Sequence, residues 1–137
     1  MVLYFERLQS IRGVENTFID LITKREYVER LLDYMEKYFL EIVKRYALEA
    51  RVDGIFFSDD WGSQISLMIS PDMCRKIFKS RYLRFIIECH KYSMHAIMHS
   101  CGNVTDIIPD LIEIGLDVLR PIQPHTMDET YLVKEFG

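Results

Sequence analysis

The chain has 137 residues, 49% of them hydrophobic, and a formal net charge of -4 at pH 7. This is the size of one modest domain with enough apolar material for a core, and its mild acidity argues against a general nucleic-acid grip, which needs a basic patch. No apolar run reaches the roughly 18 residues of a membrane span, and the opening MVLYFERLQS lacks the basic and apolar regions of a signal peptide. The expectation is a cytoplasmic protein with neither nucleic acid nor membrane as partner.

A helix, or a broken pair interrupted near Gly13, is expected over residues 3–21. A longer helix follows, with Val28, Leu31, Leu32, Met35, Phe39, Ile42, Val43 and Tyr46 forming one apolar stripe of period 3.6. Thr23, with Glu26 three residues on, reads as its capping box. The period then changes. VDGIFFSDDWG predicts a buried strand over 53–58 that ends in an acidic loop. Ser70 and Pro71 are the cap and first position of the next helix, with Cys74, Ile77, Phe78, Tyr82, Phe85, Ile86 and Cys89 inward. Lys76, Lys79, Arg81 and Arg84 read as its solvated face. MHAIMHS is the second strand. Asn103 caps the helix after it, Pro109 kinks or restarts that helix, and Gly115 stops it. LDVLRPIQP is the third strand, and Thr126 with Glu129 reads as a capping box before the last helix.

Helices followed by β, α, β, α, β, α predict an α/β fold: three parallel strands joined by helical crossovers, plus an N-terminal helical segment. The strands are continuous apolar runs, the pattern of a sheet covered by helices. Three strands do not close a (β/α)8 TIM barrel, so the chain reads as one domain, 1–137, forming part of such a barrel, with 1–50 helical and 51–137 βαβαβα. Exposed sheet edges in such a piece favour a homo-oligomer.

In a parallel sheet the loops after the strands form the reactive rim. Three meet there: Ser58-Asp59-Asp60-Trp61-Gly62, His99-Ser100-Cys101-Gly102 and Pro121-Ile122-Gln123-Pro124-His125. His99 and Cys101, at i and i+2, point to one side of an extended backbone, and imidazole and thiolate are zinc ligands. The alternative is a packed histidine beside a buried thiol. Only two ligands of a zinc site are evident; His125 or a later cysteine is a candidate third. Cys74 and Cys89 lie on an apolar helix face and read as small buried hydrophobes, and an odd, widely spaced set of three cysteines is no disulfide framework. Asp59 and Asp60 face opposite ways; one is a candidate catalytic acid, or both are caps in a solvated loop. Trp61 either floors a substrate pocket or plugs the barrel end. Gln123 either orients a substrate or satisfies backbone. His90 and His95 read as structural or exposed.

FFSDDWGSQISLMISPDMCRKIFKSRYLRFI and HSCGNVTDIIPDLIEIGLDVLRPIQP resemble the uroporphyrinogen decarboxylase superfamily, and most closely its cobalamin-dependent, methylcobamide:coenzyme M-type methyltransferase branch. The resemblance runs from about Tyr4 onward and is most specific at H-x-C-G-N. It implies a central portion of a (β/α)8 barrel, with His99 and Cys101 holding zinc that activates a thiol acceptor, a corrinoid (methylcobalamin) as methyl donor, and a corrinoid protein and a small-molecule substrate as partners. The decarboxylases of the superfamily carry D-S-W/H-A-G where this chain has Asp59-Asp60-Trp61-Gly62, so Asp60 replaces serine and the alanine is missing. Aligned on Gly13, Gln9 and Arg12 stand at the tyrosine and glutamate of their Y-x-x-E-G stretch. Three functions follow as expectations. The first is zinc-assisted methyl transfer, with Asp59, Asp60, Trp61 and Gln123 shaping the pocket. The others are metal-free decarboxylation of a tetrapyrrole, as in porphyrin biosynthesis, and an inactive, oligomerising barrel piece.

Overall fold

Glycine at position 13 takes φ +78, a backbone state that side chains disfavour, and there the N-terminal helical run breaks into α1 (Tyr4–Arg12) and α2 (Val14–Thr23). A computed structural model describes residues 1–137. Helix α3 (Arg25–Arg45) continues through a π-helical turn, Tyr46–Ala50. The Thr23 capping box does not form. Its hydroxyl donates to the carbonyl of Ile19 at 2.8 Å, which makes Thr23 the last residue of α2.

Strands β1 (Gly54–Ser58), β2 (His95–His99) and β3 (Val118–Arg120) form one parallel sheet in the order β1-β2-β3. Ser58 pairs with His99, and His99 with Arg120, so these three residues share one rung. The first residues add a short parallel bridge on the far side of β1. Leu3 N–H donates to Ser58 at 2.9 Å, and Ser58 N–H to Met1 at 2.7 Å. The apolar-run reading did not foresee this pairing.

Between β1 and β2 lie α4 (Pro71–Cys74), a π-helical turn over Arg75–Lys79, and α5 (Ser80–Lys91). Ser70 Oγ accepts from Met73 N–H at 3.2 Å, the cap its position predicts. Between β2 and β3, Asn103 accepts from Thr105 N–H at 3.1 Å, Pro109 sits in the first turn of α6 (Ile108–Glu113), and Gly115 at φ +79 ends the segment. Asp128 caps the last helix, α7 (Glu129–Phe136), accepting from Tyr131 N–H at 3.0 Å. Thr126 bonds Gln123 O instead, so the second capping box is also replaced.

Helices cover one face of the sheet. Ile55, Phe57, Ala96 and Met98 are buried there, and Ile55, Phe57 and Met98 each contribute about 1.5–3 kcal/mol. The other face is open, with Phe56 45% and Val118 44% exposed. This corrects the expectation of a sheet covered by helices: the strands alternate, and their second apolar row has no helix against it. A further correction concerns the basic face. Arg81 is buried and donates to Glu36 of α3 at 2.9 Å, Arg84 pairs with the same carboxylate, and Lys79 pairs with Asp110 at 2.7 Å. These cations join α5 to α3 and the turn before α5 to α6; Lys76 remains exposed. No helix is long and apolar enough to cross a membrane.

Candidate metal centre

Strand alternation decides which way each rim residue faces. Phe57 and Met98 point into the core, so Asp59 and Ser100 follow them inward and are fully buried. Ser58 and His99 point to the open face, and Asp60 and Cys101 stay on that side, partly exposed. The loops that carry them touch backbone to backbone. Gly62 N–H donates to Cys101 O at 3.2 Å, Asn103 N–H to Ser63 O at 2.8 Å, and Cys101 N–H to Asp60 Oδ1 at 2.9 Å. From the third loop, Gln123 Oε1 accepts from Gly102 N–H at 2.7 Å, which is the backbone-satisfying role open to it.

Three donor atoms converge there. Cys101 Sγ lies 3.2 Å from His99 Nε2, and His99 Nε2 lies 3.6 Å from Asp60 Oδ1. The ligand atoms of Asp60, His99 and Cys101 all fall within 4.8 Å of one another. Zinc–ligand bonds of 2.0–2.3 Å in tetrahedral array put neighbouring donors about 3.3–3.6 Å apart, close to the Cys101–His99 and His99–Asp60 spacings. Nitrogen, sulfur and carboxylate oxygen is also a zinc donor set by chemistry. Partial burial, then the charges of Asp60 and Glu6, hold the Cys101 thiol above its ordinary pKa. Without a cation this thiol therefore stays protonated at neutral pH.

Asp59 and Trp61 do not join this rim; that expectation is corrected by their burial. Asp59 accepts from Phe5 N–H at 3.0 Å, from Glu6 N–H at 2.6 Å and from the Tyr82 hydroxyl, and so caps α1 from across the fold. Burial pushes its carboxyl up to about 7, against the pull of those three donors. Trp61 is fully buried, stacked on Phe5 at 4.6 Å and edge-on to Phe78 at 4.8 Å, with Nε1 donating to Tyr82 at 3.1 Å. It is the plug rather than the floor of a pocket. His125 lies on the exposed turn before α7 and is not among the converging donors; the third of these is Asp60. His90 and His95 flank Asp117 at the opposite end of the sheet.

Sequence reading gave no role to three neighbours of the site. Glu6 Oε2 accepts from Ser58 Oγ at 2.8 Å, and the Arg120 guanidinium lies 5.5 Å over the Phe56 ring. Ser58 and Arg120 were within reach of strand alternation, since each shares the rung of His99. Nothing local marks Glu6, which arrives from α1.

A parallel sheet with a cluster of polar side chains beyond the carboxyl ends of the strands is the arrangement of a (β/α)8-type enzyme rim. The uroporphyrinogen decarboxylase (URO-D) family profile matches residues 7–130, and the chain belongs to that family, whose members are enzymes. The three parallel strands and their helices correspond to part of its barrel. No curated protein and no solved structure matches the chain.

Proposed function

We propose that the chain carries the metal-binding part of a zinc-assisted methyltransferase site, in which a corrinoid is the methyl donor and a small thiol the acceptor. The observation that carries this reading is the convergence of Asp60, His99 and Cys101 within 4.8 Å on the open face. The choice of zinc and corrinoid rests on the H-x-C-G-N resemblance together with the nitrogen–sulfur–oxygen donor set. Zinc bound there supplies a Lewis acid that holds an acceptor thiol as its nucleophilic thiolate at neutral pH.

The chain's own residues hold and aim the donors. Cys101 N–H restrains Asp60, and the Ser58–His99–Arg120 rung sets the imidazole on the sheet. Gln123 pins the Gly102 amide, and the uncovered sheet face gives a substrate access. Metal-free decarboxylation finds less support: the one carboxyl raised toward neutrality, Asp59, faces the core, where it caps α1.

Elemental analysis of the purified chain and of the double variant His99→Ala with Cys101→Ser tests the reading. One equivalent of zinc in the parent, its loss in the variant, and thiol-dependent demethylation of methylcobalamin that follows zinc content are expected. Unchanged zinc in the variant, or turnover of uroporphyrinogen by metal-free protein, overturns it.

A further inference from the structure

A cleft of about 150 Å3 lies among the three N-terminal helices, and none of its lining residues belongs to the rim. Leu8, Thr17 and Val28 are buried and form its inner wall, with Leu31 half-buried beside them. Arg12, Lys24 and Tyr27 are exposed and stand at its opening. The inner wall is close to hydrocarbon, because its one hydroxyl, on Thr17, already donates to Gly13 O at 2.9 Å. An apolar cavity of this volume takes a guest the size of a benzene ring. Water suits such a wall poorly, since an ordered water needs several polar partners.

The opening is charged. Arg12 Nε donates to Asp20 Oδ2 at 2.7 Å, so one guanidinium and one carboxylate neutralise each other there. Lys24 comes no nearer than 3.8 Å to Asp20 Oδ1, and its side chain is 59% exposed. Lys24 is therefore the cation in excess at this cleft, in a chain whose net charge is -4. Neighbouring cations of α3 are answered locally: Arg25 pairs with Glu29 at 2.7 Å and Arg45 with Glu49 at 3.1 Å. An ammonium beside a guanidinium, over a hydrocarbon wall, complements a molecule with one anionic head and a compact apolar body. A cationic guest is repelled there, and a wholly polar one leaves the wall unfilled.

We infer that this cleft binds a small monocarboxylate of about five to seven carbons, branched or ringed. Its carboxylate lies at Lys24 and Arg12, and its hydrocarbon body lies against Leu8, Val28 and Leu31. The site shares no residue with Asp60, His99 and Cys101 and does not rest on the proposed function. Its guest touches α1, α2 and α3 at once and so ties the three helices together.

The chain is first stripped of metal with a chelator, so that no ion at the rim takes the carboxylate. It is then titrated with cyclohexanecarboxylate, 3-methylbutanoate and neutral cyclohexylmethanol, and methyl NMR locates each guest and gives its affinity. Both carboxylates should bind with millimolar or lower dissociation constants and shift the methyls of Leu8, Val28 and Leu31. They should exceed the alcohol about tenfold, the effect of one charge-assisted contact. Lys24→Gln changes an exposed side chain; it should remove most of that preference and leave the affinity for the alcohol unchanged. Leu31→Phe, which fills the cleft, should lose every guest while circular dichroism shows the parent's helix content. No binding of any probe, equal affinity for carboxylate and alcohol, or an unchanged preference in Lys24→Gln overturns the inference. So does a folded Leu31→Phe that still binds, or a set of shifts centred on the rim instead of on the three methyl-bearing residues.

Discussion

Gly62 and Gly102 meet with no room for a side chain on either. A Cβ on Gly102 would stand 2.4 Å from the carbonyl carbon of Gly62, and one on Gly62 would stand 2.6 Å from Cys101 O and from Asn103 N. Both obstacles are backbone and do not swing aside, and Gly102 also needs φ +78. This contact joins the loop carrying Asp60 to the loop carrying Cys101. Gly102→Ala must push them apart, so zinc affinity should fall at least tenfold, along with about 1–3 kcal/mol of stability. Competition with a chelating dye and urea denaturation measure the two effects; parent-like zinc affinity in a folded variant would show that the contact does not aim the donors.

The thiol of Cys101 offers a second check. Partial burial, Asp60 and Glu6 all raise its pKa, while burial pushes Cys74 and Cys89 up to about 12. Only the thiolate alkylates. Iodoacetamide should therefore modify the metal-free chain at Cys101 alone, slowly at pH 7, and with a pH midpoint above that of an ordinary thiol. Asp60→Asn removes one raising charge and should move the midpoint down and speed the reaction at pH 7 several-fold; zinc should protect. Peptide mapping of the alkylated chain against pH reads all three, and fast labelling at pH 7 in the parent contradicts the picture.

The same residues show what a sequence discloses and what it withholds. The broken helix at Gly13, the Ser70 cap, three parallel strands and the pairing of His99 with Cys101 all follow from local rules of period and punctuation. Alternation also says that Asp59 and Asp60 point opposite ways. Which strand face is the covered one, and so which of the two turns inward with Phe57, depends on where the distant helices that carry Phe5, Glu6 and Tyr82 come to lie. Thr23 and Thr126 were misread for a local reason: each hydroxyl has a nearer carbonyl, on Ile19 and Gln123, than the amide a cap would take. Arg81 was misread for a remote one, because its partner Glu36 lies on another helix.

That Arg81–Glu36 pair joins α5 to α3, with the two side chains 7% and 8% exposed as residues. Removing one member strands a charge in a site already paid for by desolvation. Arg81→Met should cost about 3 kcal/mol or more in urea denaturation, and Arg81→Met combined with Glu36→Leu should recover most of it, because a packed apolar pair carries no desolvation penalty. Arg84, the second partner of Glu36, softens the single variant. An additive double variant would show that the pair does not act as a unit.

Asp59 sets the direction in which stability changes with pH. Its carboxyl is raised to about 7 in the fold, chiefly by burial, from an ordinary value of 3.8. The folded state therefore holds a proton that the unfolded chain has released between those values, and its advantage is full below the lower value and lost as pH rises through the upper one. A rise of that size corresponds to roughly 4 kcal/mol. Carboxyls held low by cationic partners, Asp20 and Asp110, work the other way, but in the more acidic range below their ordinary values. Between pH 5 and pH 7.5 the Asp59 contribution should dominate, so the chain should be more resistant to urea at pH 5. Asp59→Asn cannot titrate. It loses an acceptor for the amides of Phe5 and Glu6 and should be weaker at pH 5, yet nearly flat across the same window. A parent whose stability rises from pH 5 to pH 7.5, or a variant that keeps the parent's slope, would place the buried proton elsewhere.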